Sequence, residues 1–467
     1  MVLGGFTALE WLALVEHELL LFAGIFFLIG ALDEFAIDLV WAWLKLTGRA
    51  KTPTIDRAQF SHWELEDNAA VIIPAWQEAP VIGATISHAL NVWPQAALRL
   101  YVGCYRNDRD TIEAVIKAAN RDPRLRLVIH DRRGPTTKAD CLNRLYAALE
   151  EDERRTGERY RMVVLHDAED MVDPAALKLL EAGLQEAEFV QIPVMPVPQK
   201  DSRWIAGHYS EEFAEAHGKA MVVRDALGAA LPAAGVGCAF DREMLTRLET
   251  GEAGKTGPFS IECLTEDYEL GLRIKSMGGR SRFLRVRGED GHLVATRACF
   301  PGDLSLAVRQ KTRWIHGIAL QGWDRLGWTA RPVELWMRMR DRRGPLTGIV
   351  LAAAYLLLLV AAVLWAANLA GLGRPWEIDP LARLLLSVNL ASFAWRAVMR
   401  FGFTAREYGW VEGLRAVLRI PVANIIAIMA GRRALFAYAR TLGGALPKWD
   451  KTPHHAHPAL MPKQAKA

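Results

Sequence analysis

Hydrophobic positions along the chain fall into long runs near both ends and short, strand-length runs between them. The first long run spans residues 19–32 and continues, broken by Asp33, Glu34 and Asp38, as far as Leu44. It can cross a bilayer core of ~30 Å if the acids face protein or water. No basic stretch precedes it and no small-residue cleavage site follows, so a retained anchor is expected over residues 1–46. Lys45, Arg49, Lys51 and Arg57 come next and place the downstream side in the cytoplasm. Residues 346–369 carry no charge, a strong transmembrane signal. "LARLLLSVNLASFAWRAVMRFGF" follows, with Arg396 and Arg400 near its end expected to reach lipid headgroups. Residues 411–436 have Arg415 and Arg419 on one flank and Arg432 and Arg433 on the other, which favours an in-plane or re-entrant helix over a crossing. The pattern predicts three crossings with the amino terminus outside, membrane and interfacial helices over 346–440, and a cytosolic tail over 441–467. "RPVELWMRMRDRR", basic and amphipathic, is expected to lie along the inner leaflet within an interfacial stretch, 301–345.

Between the long runs, "AAVIIPAW", "LRLYVGCY", "LRLVIHD" and "RMVVLHD" alternate with helical stretches such as "IEAVIKAANR" and "AALKLLEAGLQEA". That alternation predicts a soluble α/β domain over 47–300, a mainly parallel sheet covered on both faces. Ligands on such sheets bind beyond the carboxyl ends of the strands.

Composition narrows the class. A 467-residue chain with 51% hydrophobic residues yet 24% charged ones suits a membrane enzyme better than a soluble enzyme or a pure transporter. The net charge of +4 is small, and the Lys and Arg cluster beside apolar segments, which points to membrane lipids and away from nucleic acid. Five widely spaced cysteines without a CxxC pair suggest a reducing compartment, with neither a disulfide framework nor a zinc site.

Candidate chemistry gathers at the strand ends. "VVLHDAEDMVDP" closes a strand with Asp167, Glu169 and Asp170, oxygen ligands suited to Mg²⁺ or Mn²⁺, or simply the solvated start of the next helix. "VIIPAWQEAPVIG" ends a strand at Pro74 and turns through Ala75 to Glu78. In "YRNDRDT", Asp108 either accepts from a bound base or caps a helix starting near Thr111. "DRRGPTTKADCLNRL" puts Lys138 at a helix start, suited to a diphosphate or to a basic surface turn. In "LTEDYELGLRIKSMGGR", Asp267 and its neighbour Glu266 open an amphipathic helix: Asp267 as a general base, or both acids favouring the helix dipole behind a Thr265 cap. In "VRQKTRWIHG", Gln310, Arg313 and Trp314 fall at i, i+3 and i+4 and share one helix face. Trp314 offers a flat apolar surface to a sugar, or anchors its helix at the membrane interface. "HHAH" at 454–457 reads as a solvated tail more readily than as a metal site.

In their order, "PAWQE", "NDRD", "TTKADCLN", "DAED", "TEDYELG" and "QKTRW" closely resemble the inverting family 2 glycosyltransferases that polymerise sugars at membranes, such as cellulose and hyaluronan synthases. More narrowly, "LDEFAIDLVW", "GPTTKADCLN", "LHDAED", "AGVGCAF", "LTEDYELGLRIK", "AVRQKTRWIHGI" and "WDKTPH" resemble the bacteriophage adsorption protein B group, inner-membrane enzymes making an exported surface polysaccharide. The resemblance extends to about residue 455. It implies a GT-A nucleotide-binding fold, a UDP-sugar donor such as UDP-N-acetylmannosamine or another N-acetylhexosamine, a growing polysaccharide as acceptor, and an outer-membrane export partner. Carried over, Pro74, Ala75, Glu78 and Asp108 hold uridine, Lys138 the diphosphate, and Asp167 with Glu169 or Asp170 the metal. Asp267 is the base, Gln310, Arg313 and Trp314 flank diphosphate and acceptor, and Gly237 and Cys238 border the acceptor. Trp449, Lys451, Thr452 and His454 belong to a loop that closes over nucleotide. This chain departs from the usual Asp-any-Asp metal motif, having Glu169 at its third position and Asp170 next. Longer members carry a further domain resembling cyclic di-GMP sensors, so regulation of that kind is expected to lie elsewhere. Two other readings remain: transfer of a single sugar to a lipid phosphate, and a phage-receptor scaffold with a degenerate site.

Overall fold

The computed structural model describes residues 6–250, 257–372, 379–445, 451–454 and 456–461. Its centre is a seven-stranded sheet: β1 (Asn68–Pro74), β2 (Leu98–Tyr105), β3 (Leu125–His130), β4 (Tyr160–Leu165), β5 (Phe189–Gln191), β6 (Cys238–Asp241) and β7 (Ser281–Phe283). They lie in the order β3-β2-β1-β4-β6-β5-β7. β1 carries an unbroken apolar run because helices cover both of its faces. Val71 and Ile73 point into the core under helices Ile82–Val92 and Ala176–Leu184, while Ala70 and Ile72 point into the core under helix Lys138–Thr156.

The sheet is mainly parallel, as the strand pattern predicts, and is mixed only because β6 runs antiparallel to its neighbours β4 and β5. The chain enters β6 at the carboxyl end of β4, where Gly237 N donates to Leu165 O at 3.1 Å, so β6 can only run back toward β4's start. Strand order reverses between β1 and β4, and α/β sheets open their binding crevice at such a switch point.

Four helices are long and apolar enough to cross a membrane: Ala8–Leu46, Gly344–Leu369, Pro380–Tyr408 and Ile420–Leu442. The stretch expected as one in-plane or re-entrant helix is two, Trp410–Leu418 and Ile420–Leu442. Ile420, Pro421 and Asn424 line a groove with Ala354, Tyr355 and Leu358, halfway along Gly344–Leu369. Further on, Gly348 and Gly431 face each other, where a Cβ at Gly348 would stand 3.4 Å from the Gly431 Cα, so the two helices pack closely there. Tyr438 then reaches Asp324 at 2.9 Å. Ile420–Leu442 therefore runs antiparallel to Gly344–Leu369, from its middle back to the short helix Gly322–Leu326 that carries Asp324.

The arginines expected at lipid headgroups are engaged inside the protein. Arg396 bonds Glu215 at 2.6 Å and lies 3.4 Å from Glu34, and Arg400 lies 3.9 Å from Glu211. In helix Pro332–Arg342, expected along the leaflet, Arg340 joins Asp33 and Glu34, and Arg342 donates to the Gly322 and Gly327 carbonyls. The acids that interrupt the amino-terminal helix thus face partner side chains. Lys219, 1% exposed, sits among them, 2.5 Å from Asp38, 2.7 Å from Glu215 and 3.6 Å from Glu34. Apolar surroundings forbid leaving such charges alone, and sequence cannot reveal which distant partner meets them. Lys219→Met should lower stability by roughly 3–5 kcal/mol, since it strands buried carboxylates. A fall in the thermal unfolding midpoint in detergent checks this, and Arg154→Ala, at an exposed pair, should leave the midpoint unchanged.

Candidate active site

Pro74 ends β1, and the turn beyond it is held from the next βα unit. Gln77 N donates to Asp108 Oδ2 at 2.5 Å and Glu78 N to Thr111 Oγ1 at 3.0 Å. Asp108 makes no side-chain cap to its own helix, Arg109–Ala119; its carboxylate fixes the turn that carries Glu78. After β4, Asp170 folds back. Its Oδ2 accepts from Asp167 N and pairs with His166 Nδ1, both at 2.9 Å, while Asp167 and Glu169 line the cleft.

Thr137 caps helix Lys138–Thr156 by accepting from Asp140 N, which starts the helix at the lysine. Lys138 Nζ lies 2.7 Å from Asp167 Oδ1 and 3.9 Å from Glu266 Oε1. Burial alone would pull this ammonium down, but Asp167, Glu266 and Asp267 hold it above its ordinary range. Burial likewise opposes ionisation of Asp167, and Lys138 reverses it, leaving that carboxyl below its usual range. Glu169, buried and facing Asp167, Glu78 and Asp170, is pushed up to about 8 despite His454. Burial raises Glu266 to about 7 against Lys138, and raises Asp267 as well.

Thr265 does not cap the helix Glu266–Ser276; its buried hydroxyl has no partner among the described residues and packs under Gly317. Asp267 lies instead against the "AGVG" loop. Gly235 has φ +75°, and a Cβ there would stand 2.3 Å from Asp267 Oδ2, so only glycine lets the loop pass this carboxylate. Gly237 adopts φ +59° and leads into Cys238, which is wholly buried and offers no exposed thiol.

Helix Leu304–Trp314 brings Gln310 and Arg313 to the same cleft. Gln310 is 8% exposed, and its Oε1 has no hydrogen-bond partner among the described residues. Trp314 is not among the cleft's lining residues. It packs with Tyr209, Phe213 and Phe300, ring centroids 6.1–6.5 Å away, where the helix passes into the π-turn Ile315–Gln321.

The carboxyl-terminal segment closes the cleft. Lys451 Nζ lies 2.7 Å from Glu78 Oε1 and donates to the Trp76 and Gln77 carbonyls. His454 Nδ1 is 2.9 Å from Glu78 Oε1 and Nε2 is 3.1 Å from Glu169 Oε1. His457, 1% exposed, meets the Asp170 carbonyl at 3.2 Å. The expected solvated tail is thus a docked strap, because its histidines find acids and carbonyls that sequence distance conceals. Trp449 and His455 lie outside the described residues. Sequence reading missed that Glu78 and Glu169 meet around one histidine, and the "HHAH" cluster was the signal available. Glu78, Glu169 and His454 offer ligand atoms within 4.8 Å of one another, a set able to hold a metal ion.

An open α/β crevice lined by carboxylates, a lysine at a helix start and a glycine loop against an aspartate defines a nucleotide-sugar transferase of GT-A type. The chain belongs to the glycosyltransferase-like family 2, whose model matches residues 67–317. It is 34% identical over 456 residues to bacteriophage adsorption protein B of Escherichia coli (strain K12), and equally to bacteriophage N4 adsorption protein B of Escherichia coli O157:H7. That match covers 91% of this chain and 60% of each relative's length. Among solved structures, a mannosyltransferase from Pyrobaculum calidifontis in complex with GDP-Man and Mn²⁺ is 21% identical, with TM-score 0.46, covering 86% of this chain and 99% of that one. A glucosyl-3-phosphoglycerate synthase from Mycobacterium tuberculosis, in complex with Mn²⁺, UDP and glucosyl-3-phosphoglycerate, is 16% identical, with TM-score 0.37, covering 60% and 88%.

His454 and Glu169 titrate in the same direction, opposite to Asp167, which Lys138 holds low. Burial would lower His454, but Glu169 and Glu78 raise it from 6.5 to about 9, so its contribution is full below 6.5 and lost as pH rises through 9. Glu169, raised from 4.5 to about 8, likewise loses its contribution as pH rises through 8. In EDTA, the thermal midpoint should therefore fall between pH 6.5 and 9, and the fall should be shallower in His454→Gln.

Proposed function

We propose that this chain is an inverting polysaccharide synthase of the bacterial inner membrane that draws on a UDP-sugar, such as a UDP-N-acetylhexosamine, from the cytoplasm. The observation that carries the reading is the pairing of Lys138 with Asp167 in a cleft at the carboxyl ends of β1 and β4 that Arg313 also lines, with Asp267 outside the lining but near enough to feel the charges of all three. Pro74, Ala75 and Glu78 receive the nucleoside, with Asp108 fixing their turn. Lys138 and Arg313 face the diphosphate, where charge grows as the sugar leaves. Glu169, with Asp167 beside it, is where Mg²⁺ or Mn²⁺ would be held, supplying further neutralisation of the leaving diphosphate.

Asp267 takes the proton of the acceptor hydroxyl as that oxygen attacks the anomeric carbon from the face opposite the diphosphate. The new C–O bond forms as the bond to the diphosphate breaks, and one displacement inverts the centre. Burial, which raises the Asp267 carboxyl, makes it a better proton acceptor near neutrality. The "AGVG" loop, pressed on Asp267, borders the acceptor. Because the strap docks on the cleft, both lie on one side of any membrane, and Lys45, Arg49, Lys51 and Arg57 after the amino-terminal helix favour the cytoplasm for that side. Delivery of the polymer to an outer-membrane export partner follows from the same reading.

The test incubates purified chain with a panel of labelled UDP-sugars and Mn²⁺ and sizes the product. Label in polymer supports the reading, whereas label confined to lipid overturns polymer synthesis. Asp267→Asn should cut transfer roughly a thousandfold while leaving UDP binding intact. Lys138→Met should weaken UDP binding by about tenfold or more. An active Asp267→Asn protein removes that residue's role.

A further inference from the structure

Helix Pro332–Arg342 is separated from the membrane helix Gly344–Leu369 by Arg343 alone, and its side chains bond in two directions. Trp336 and Arg340, at i and i+4, both meet Asp33 of the amino-terminal membrane helix, the indole at 2.6 Å. Glu334 and Asp341, a heptad apart and so nearly in line, reach the catalytic domain instead. Asp341 Oδ2 accepts from the Tyr268 hydroxyl at 2.9 Å, and its two oxygens accept from Arg224 Nη1 and Nη2 at 2.7 and 2.9 Å. Arg224 Nε in turn donates to the Ala230 carbonyl, and Glu334 Oε1 accepts from the Ala230 amide at 2.8 Å. Glu334, Arg224 and Tyr268 are all buried, so each lost bond leaves a polar group without water to replace its partner. Both anchored points adjoin Asp267. Tyr268 follows it in sequence, and the Tyr268 amide donates to Asp267 Oδ1 at 2.8 Å. Ala230 opens the segment that passes Gly271, where a Cβ would stand 2.4 Å from the Leu231 carbonyl oxygen, and that ends with Gly235 against Asp267 Oδ2.

We propose that Asp341 and Glu334 are positioning residues for the transfer step: Asp341 holds the helix that carries Asp267 through Tyr268, and Glu334 holds the "AGVG" loop opposite it through Ala230. This deepens the transferase reading and rests on it for the role of Asp267 as base. A base acts only within hydrogen-bond reach of the acceptor hydroxyl, and a misplacement of about 1 Å can cost roughly a hundredfold in rate. One helix therefore sets the separation between the base and the loop that borders the acceptor, and ties both to the start of a membrane helix. The donor is held through other bonds, because Lys138 pairs with Asp167 and the turn carrying Glu78 is fixed by Asp108 and Thr111. Loss of the tie is thus a loss of turnover and not of donor affinity.

The experiment measures kcat and donor KM for the full chain in detergent, with the UDP-sugar that supports transfer, and amide hydrogen exchange over residues 230–237 and 266–271. Tyr268→Phe removes one hydroxyl and keeps the ring packed on Ala230 and Leu272. It should lower kcat about tenfold, leave donor KM within about twofold, and speed exchange over 266–271. Glu334→Leu should lower kcat likewise and speed exchange over 230–237. Glu334→Gln keeps an oxygen for the Ala230 amide and should restore wild-type turnover, a rescue that a general loss of stability would not show. Wild-type kcat and exchange in Tyr268→Phe, or a raised donor KM at unchanged kcat, overturns the inference and leaves the transferase reading standing. A wild-type chain that transfers no sugar removes the transferase reading alone, since exchange in Tyr268→Phe still reports whether Asp341 holds the helix.

Discussion

Carboxylates crowd the cleft, and the rest of the site is arranged around the cost of keeping them together. Glu78, Asp167, Glu169, Glu266 and Asp267 converge where the sheet opens, and like charges in a partly desolvated crevice repel strongly. Each counter-charge arrives from a different part of the chain: Lys138 from the helix after β3, Arg313 from the helix preceding the membrane segment, Lys451 and His454 from the strap. No single segment makes a stable cleft, so catalytic domain, membrane-proximal helix and carboxyl terminus must assemble as one body.

The same rule governs the junction with the membrane helices. Asp33, Glu34 and Asp38 would be intolerable in lipid, yet each meets a basic or indole partner from another helix: Asp33 accepts from Trp336 at 2.6 Å and Asp38 from Trp395 at 2.8 Å. Lys219 and Arg396 lock the amino-terminal helix to the catalytic domain through Glu215. Deeper in that junction, Arg419 and Glu211, both fully buried, pair at 2.7 Å, with Glu412 completing the set. Such pairs contribute little net stability but strongly penalise any other packing, which gives a donor cleft a fixed position relative to the bundle.

Local pattern made the βα repeats, the strand-end acids, Lys138, Asp267 and the Gln310–Arg313 face legible, because period and turn chemistry act over a few residues. What escaped was set by contacts across hundreds of residues. The direction of β6 depends on where the chain re-enters the sheet. The arginines flanking apolar runs looked like headgroup contacts because hydropathy cannot see Glu34 or Glu215 opposite them. Trp314 follows Arg313 on the helix yet turns into an aromatic cluster whose other members come from residues 209–213 and 300. Thr265 has the sequence of a cap, but Gly317 presses on it and its hydroxyl is turned elsewhere.

The strap also constrains the membrane path. Gly344 begins its helix beside Ile315, near the cleft, and Tyr408 at the end of Pro380–Tyr408 bonds the Pro196 carbonyl at 2.9 Å on the same side. From there the chain must deliver residue 451 to the cleft, so whatever lies between has to return to where it started. Trp410–Leu418 climbs back along Phe401 and Ala405, and Ile420–Leu442 descends from the level of Tyr355 to Asp324. A helix with the length and hydropathy of a full crossing therefore runs alongside the first half of Gly344–Leu369. Length and composition set what a segment can do in a bilayer, while the contacts that it must bring back to the cleft set the path it follows through the bundle.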